Sequence, residues 1–120
     1  MKIGFIGTGK ISSSIIYGIY KSKLKISKIY ISPRNKFLAN KLSKRFKSVE
    51  VAKNNQEVIN NSSLIFLAVT PTVGLKILSI LKFTSNKKII SFIATISLAS
   101  LKKLTKNKNV VRAIPLPPIE

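Results

Sequence analysis

Gly7 and Gly9 stand two apart, behind the apolar run Ile3-Gly4-Phe5-Ile6 and ahead of a helical pattern from Ile11 to Tyr20. Glycines at that spacing, between a strand and a helix, can do one piece of chemistry: grip a phosphate with main-chain N–H groups. Gly7 permits a tight turn, and Gly9 lets an anion approach the backbone with no Cβ in the way. The N–H groups at the start of the helix would supply donors and partial positive charge for that phosphate. The third small position of such turns, normally Gly or Ala, is Ser12.

A second cluster follows a second apolar run, Ile26 to Ile31. It reads Ser32-Pro33-Arg34-Asn35-Lys36. A site for NAD places an acidic residue about 20 positions after the glycines, to accept from the ribose 2′-hydroxyl. Here there is no Asp at all, and the three acidic residues are Glu50, Glu57 and Glu120. Ser32 offers a hydroxyl, Arg34 a guanidinium fork and Lys36 a second cation. That set suits the extra phosphate of NADP, because a dianion gains charge-assisted hydrogen bonds from Arg. NADP is the expected cofactor, ahead of NAD. The bland alternative is a strand-to-helix turn carrying solvated basic residues.

Composition excludes other chemistries. With no Cys and no His, thiolate nucleophiles, zinc clusters and imidazole acid–base catalysis are absent. Three scattered Glu make a carboxylate dyad or hard-metal site improbable. No apolar run reaches the roughly 20 residues of a membrane span, and Gly4, Gly7 and Gly9 interrupt any leader-like core. A soluble, cytoplasmic protein is expected. The net charge of +19 could mark a polyanion partner. Lys is spread over almost every element beside Ile, Asn and Ser, with no basic stripe interleaved with aromatics. Specific nucleic-acid binding is therefore not expected.

The elements that position these residues alternate along 120 residues, enough for one domain. Strands are expected at 3–6, 26–31, 49–51, 64–69, 88–93 and 110–114. Helices are expected at 11–20, 36–46, near 54–59, and at 73–81 and 98–104. The second helix is read with Phe37, Leu38, Leu42 and Phe46 on one apolar face. Asn54 or Asn55 caps the third. The uninterrupted LIFLAV of 64–69 marks a strand buried on both faces of a parallel sheet. Pro115, Pro117 and Pro118 stop the last strand. The fold class is α/β: a Rossmann-type doubly wound parallel sheet in a single three-layer domain, with strand order 3-2-1-4-5-6 by analogy.

At this level the chain resembles the N-terminal coenzyme-binding domain of the pyrroline-5-carboxylate reductase family. MKIGFIGTGK, ISPRN, NNQEVI, LIFLAVTPTV, IISFIATIS and VVRAIPLPP carry the resemblance, in order and over all 120 residues. It implies reduction of 1-pyrroline-5-carboxylate to proline, with NADPH or NADH giving a hydride to the ring C=N carbon. It further implies that Ile6, Gly7, Thr8, Gly9, Lys10 and Ile11 wrap the pyrophosphate, that Ser32 and Arg34 hold the adenosine 2′-phosphate and that Asn55 lies near the adenine ribose. Ala68, Val69 and Pro71 would line the nicotinamide crevice, closed on its other side by Ala94 and the 112–115 stretch.

The sequence departs from the family at Lys10, Ser12, Thr70, Thr72, Thr95 and Leu116. Thr70 and Thr95 would crowd the nicotinamide end. The family's C-terminal helical domain, which dimerises and supplies much of the imino-acid site, has no counterpart within these residues. On this reading residues 1–120 bind cofactor and have little turnover alone. A partner chain or homodimer would have to supply the imino-acid site. The alternative is a non-catalytic nucleotide-binding module or a decayed remnant.

Overall fold

The structure, a computed structural model, describes residues 1–84 and 86–113. Six strands alternate with five helices: β1 (Lys2–Ile6), α1 (Lys10–Lys21), β2 (Lys28–Ile31), α2 (Lys36–Arg45), β3 (Val49–Val51) and α3 (Asn55–Asn61) come first. Then follow β4 (Leu64–Leu67), α4 (Pro71–Leu78), β5 (Lys88–Ser91), α5 (Leu98–Thr105) and β6 (Val110–Arg112). All paired strands are parallel, in the order β3-β2-β1-β4-β5-β6. The chain moves outward from β1 in one direction through α1 and α2, then returns through α3 and moves outward in the other. A crevice forms at such a reversal, beyond the carboxyl ends of the central strands.

Strand parity sorts the core into two layers. Ile3 and Phe5 of β1 pair with Ile29 and Ile31 of β2, and Phe5 also with Phe66 of β4. These side chains share a cluster with Ile16 of α1 and with Ala39 and Leu42 of α2. Phe5 and Phe66 stack at 4.8 Å, and Phe92 continues the stack at 6.1 Å from Phe66. On the opposite face Ile6, Tyr30, Ile65, Leu67, Ile89 and Val110 pack with Val58 and Ile59 of α3, Leu78 of α4 and Leu101 of α5. The result is the expected Rossmann-type, three-layer fold.

Several element bounds differ from the sequence reading. β2 begins at Lys28, β4 ends at Leu67 and β5 ends at Ser91. Each apolar run outlasts its strand because loop residues also pack: Ile93 is fully buried and Val69 rests against the same cluster. Apolarity reports burial rather than ladder pairing. Phe37 is a correction, being 80% exposed. At 100° per residue it sits about 140° around α2 from Leu42, off the stripe that Leu38, Ala39 and Leu42 form. Pro71 opens α4 as its first residue, where its missing N–H costs nothing. The expected extension of β6 to Ile114 and the proline stop at Pro115, Pro117 and Pro118 lie outside the described residues. Among the described residues, no helix is long and apolar enough to cross a membrane, and no three His, Cys, Asp or Glu side chains group to hold a metal ion.

Candidate functional site: the glycine loop and its basic rim

Gly7 adopts φ +100°, the left-handed region that side chains avoid. A Cβ there would lie 2.3 Å from the Ala68 carbonyl oxygen, so the loop presses against the end of β4. Gly9 differs: its φ of −140° suits any residue, and a Cβ there would meet nothing within 4 Å. Its lack of a side chain keeps open the space in front of the loop. Gly9 is the N-cap of α1, and its carbonyl accepts the Ser13 amide at 3.0 Å. No protein acceptor among the described residues takes the amides of Thr8, Gly9, Lys10 or Ile11. They are free to donate to an anion.

Ser12 is fully buried, and its hydroxyl donates to the Gly7 carbonyl at 2.5 Å. The third small position is thus filled by a residue that is compact and also pins the turn.

The basic rim faces this loop. A cavity of about 560 Å³ is lined by Gly7, Thr8, Arg34, Asn35 and Lys36. Arg34 and Lys36 are exposed, so their charges are available in it. Asn35 was not foreseen as part of the site. It caps α2, its side-chain oxygen accepting the Leu38 amide at 3.2 Å, and this cap sets Arg34 and Lys36 on either side of it. The signal was present as a capping residue just before a helical pattern. Neither acidic residue among the described ones lines the cavity. Glu50 pairs with Lys28 at 3.1 Å, and Glu57 accepts the Lys53 amide.

Ser32 directly follows β2, in the turn where the sequence reading puts it. It is only 2% exposed and its hydroxyl is engaged within the protein. The oxygen accepts the Gly7 amide at 3.0 Å and lies 3.0 Å from the Phe5 carbonyl and 2.7 Å from Asn55 Oδ1. The Ser32 carbonyl in turn accepts the Thr8 hydroxyl at 2.7 Å. Asn54, not Asn55, caps α3, accepting the Glu57 amide at 2.9 Å. That leaves the Asn55 side chain free to meet Ser32.

Of the crevice residues, Ala68 and Val69 are half-buried in the turn after β4, and the Ala68 amide donates to the Ile6 carbonyl at 2.9 Å. Thr70 and Thr95 are exposed. Ala94 is exposed too, and its carbonyl accepts from the Arg112 guanidinium, which ties β6 to the turn after β5. The structure thus brings Ala94 and Arg112 together, while residues 114 and 115 lie outside the described part.

A strand–glycine loop–helix with open amides and a doubly wound sheet has counterparts among known proteins. The family described as "NADP oxidoreductase coenzyme F420-dependent" matches residues 2–95. The chain belongs to that family. Pyrroline-5-carboxylate reductase 3 of Danio rerio is 36% identical over 120 residues, which is 96% of this chain and 41% of that protein. The 1-pyrroline-5-carboxylate reductase structure from Streptococcus pyogenes overlays with a TM-score of 0.76 at 31% identity, covering 96% of this chain and 42% of that one. Plasmodium falciparum pyrroline carboxylate reductase, solved with NADP bound, overlays with a TM-score of 0.76 at 22% identity, again over 96% and 42% of the two chains. That last likeness speaks to the fold. This family member is homologous to the N-terminal NAD(P)-binding part of pyrroline-5-carboxylate reductases, and it spans less than half the length of the relatives it matches.

Proposed function

We propose that these residues bind NADP(H) as the coenzyme-binding part of a pyrroline-5-carboxylate reductase-like oxidoreductase. One observation carries the reading: among the described residues the four amides of Thr8 to Ile11 are unclaimed, and the cavity that Gly7 and Thr8 line has Arg34 and Lys36 on its rim and no carboxylate. The residues fit the group, because the space in front of Gly9 is the room a diphosphate needs.

Residues 6–11 would wrap the pyrophosphate, its charge meeting the amides and the positive end of α1. Arg34, with Lys36 beside it, would take the 2′-phosphate, and Asn55 at the start of α3 would lie near the adenine ribose. Ala68, Val69 and Pro71 at the end of β4, with Ala94 after β5, would form a small-residue wall against which nicotinamide is oriented and shielded from water. Bound NADPH supplies a hydride, which in the pyrroline-5-carboxylate reductases goes to the substrate C=N carbon. The imino acid itself would be held by residues beyond this stretch or by a partner subunit.

The test is titration of the purified chain with NADPH and NADH, followed by nicotinamide fluorescence. NADPH should bind in the micromolar range, and Arg34→Ala should weaken it by about 2 kcal/mol or roughly thirtyfold, the worth of a charge-assisted contact. No binding of either nucleotide at millimolar concentration would reject the reading.

A second reading, a nucleotide-binding module without catalysis, is favoured by the crevice itself. Among the described residues, Thr70, Thr95 and Arg112 are the polar side chains at its two walls, and none of them titrates near neutral pH. Oxidation of NADPH on adding pyrroline-5-carboxylate would refute this second reading.

A further inference from the structure

Ser32, Thr8 and Asn55 come from three separate segments: the end of β2, the glycine loop and the first residue of α3. They meet in one knot behind the loop. Ser32 closes it with both its hydroxyl and its carbonyl. A hydroxyl has a single proton. With the Gly7 amide donating to Ser32 Oγ, that proton can serve either the Phe5 carbonyl or Asn55. If it serves Phe5, the Asn55 amide must turn its NH₂ toward Ser32. Asn55 can complete the knot in either orientation, which an Ala there could not.

The knot has a definite effect on the loop. Gly7 is held at a positive φ by the contact of its amide with Ser32 and of its carbonyl with Ser12. Its amide therefore points inward, and the next four amides are left without an acceptor among the described residues.

We propose that Ser32 and Asn55 are positioning residues for the phosphate-binding loop, acting through the Gly7 amide and not as ligands of the 2′-phosphate. This rests on the nucleotide-binding reading above and refines it. Ser32, sealed in hydrogen bonds and nearly without exposure, has its single proton engaged inside the knot and none to give a phosphate. Discrimination between the two nucleotides then falls to Arg34 and Lys36 alone.

The prediction separates a brace from a ligand. A ligand of the 2′-phosphate matters only to NADPH, whereas a brace of the pyrophosphate loop matters equally to NADPH and NADH. Ser32→Ala should weaken both nucleotides by roughly tenfold, leaving their affinity ratio unchanged. Asn55→Ala should act in the same direction by roughly threefold. Arg34→Ala, as control, should lower the NADPH affinity and leave NADH alone. Amide hydrogen exchange on the full chain supplies a readout that general destabilisation would not give. The Gly7 amide, which Ser32 holds, should exchange faster in Ser32→Ala while the β4 and β5 amides keep their protection.

Loss of NADPH affinity alone in Ser32→Ala would make Ser32 a direct ligand and overturn the proposal. So would unchanged affinity for both nucleotides in Ser32→Ala and Asn55→Ala. If the unmodified chain bound neither nucleotide, the nucleotide reading would fall first and this refinement with it. If Ser32→Ala does not fold, Asn55→Ala carries the test through the Gly7 amide, whose faster exchange a lost ribose contact alone would not produce.

Discussion

The two glycines of the loop do different work, and substitution should separate them. Gly7→Ala would force a Cβ against the Ala68 carbonyl at a positive φ, and the expected cost is about 2–3 kcal/mol in denaturant unfolding. Gly9→Ala puts its methyl into open space at an unstrained φ. Stability should therefore change by less than about 0.5 kcal/mol, while NADPH affinity falls because the methyl occupies the anion's approach. The tight turn at Gly7 was legible in the sequence, since glycine type and spacing are what such a turn demands. The inward turn of Ser32 was not read, although strand parity contained it. Tyr30 packs with Val58 and Ile59 on the α3 side, and Ser32 is two residues on, on that same side. Residue type suggested a phosphate ligand; parity pointed to the interior. Arg34 was legible as a cation in the right turn, whereas Asn35 was overlooked as the cap that places it.

Among the elements, helix starts show where local sequence determines structure and where packing does. Asn54 accepts the Glu57 amide, and Glu57 reaches back to the Lys53 amide at 3.3 Å, a near relative of the reciprocal capping box. Asn54→Ala should cost about 1 kcal/mol, measured as a lowered urea midpoint at unchanged slope. Thr70 stands at the equivalent position of α4 but makes no capping bond, and Thr70→Ala should leave the midpoint where it is. The order and type of all eleven elements could be read from alternation and helical spacing. Their ends could not, because Val69 and Ile93 stay buried after the ladder has stopped. Phe37 misled for the opposite reason, an aromatic residue on the solvent side of a helix whose stripe was already complete.

At the scale of the whole molecule, charge dominates. A net +19 is met among the described residues by one ion pair, Lys28–Glu50, at a partly exposed site. Self-repulsion should depress stability at low ionic strength, and raising NaCl from about 20 mM to 500 mM should raise Tm, because the screening length shrinks severalfold. Lys87 adds a pH term of defined sign. Desolvation holds its pKa below the usual lysine value, so in that window the unfolded chain binds more protons. The stability contributed by this group should rise as pH climbs through the window toward the unfolded value. A shallower slope in Lys87→Met than in the parent would bear this out.

The same charge guards the sheet's flank. β6 ends the described sheet, and Val111 on it is 59% exposed, presenting an apolar side chain beside main-chain groups on the strand's outer side. Bare borders of this kind recruit another chain unless like charges keep copies apart. Lys88 and Lys108, which line the groove beside Val111, are placed to do so. Salt that firms each molecule should therefore also let molecules zip together, and light scattering should climb with ionic strength over the same range in which melting is postponed.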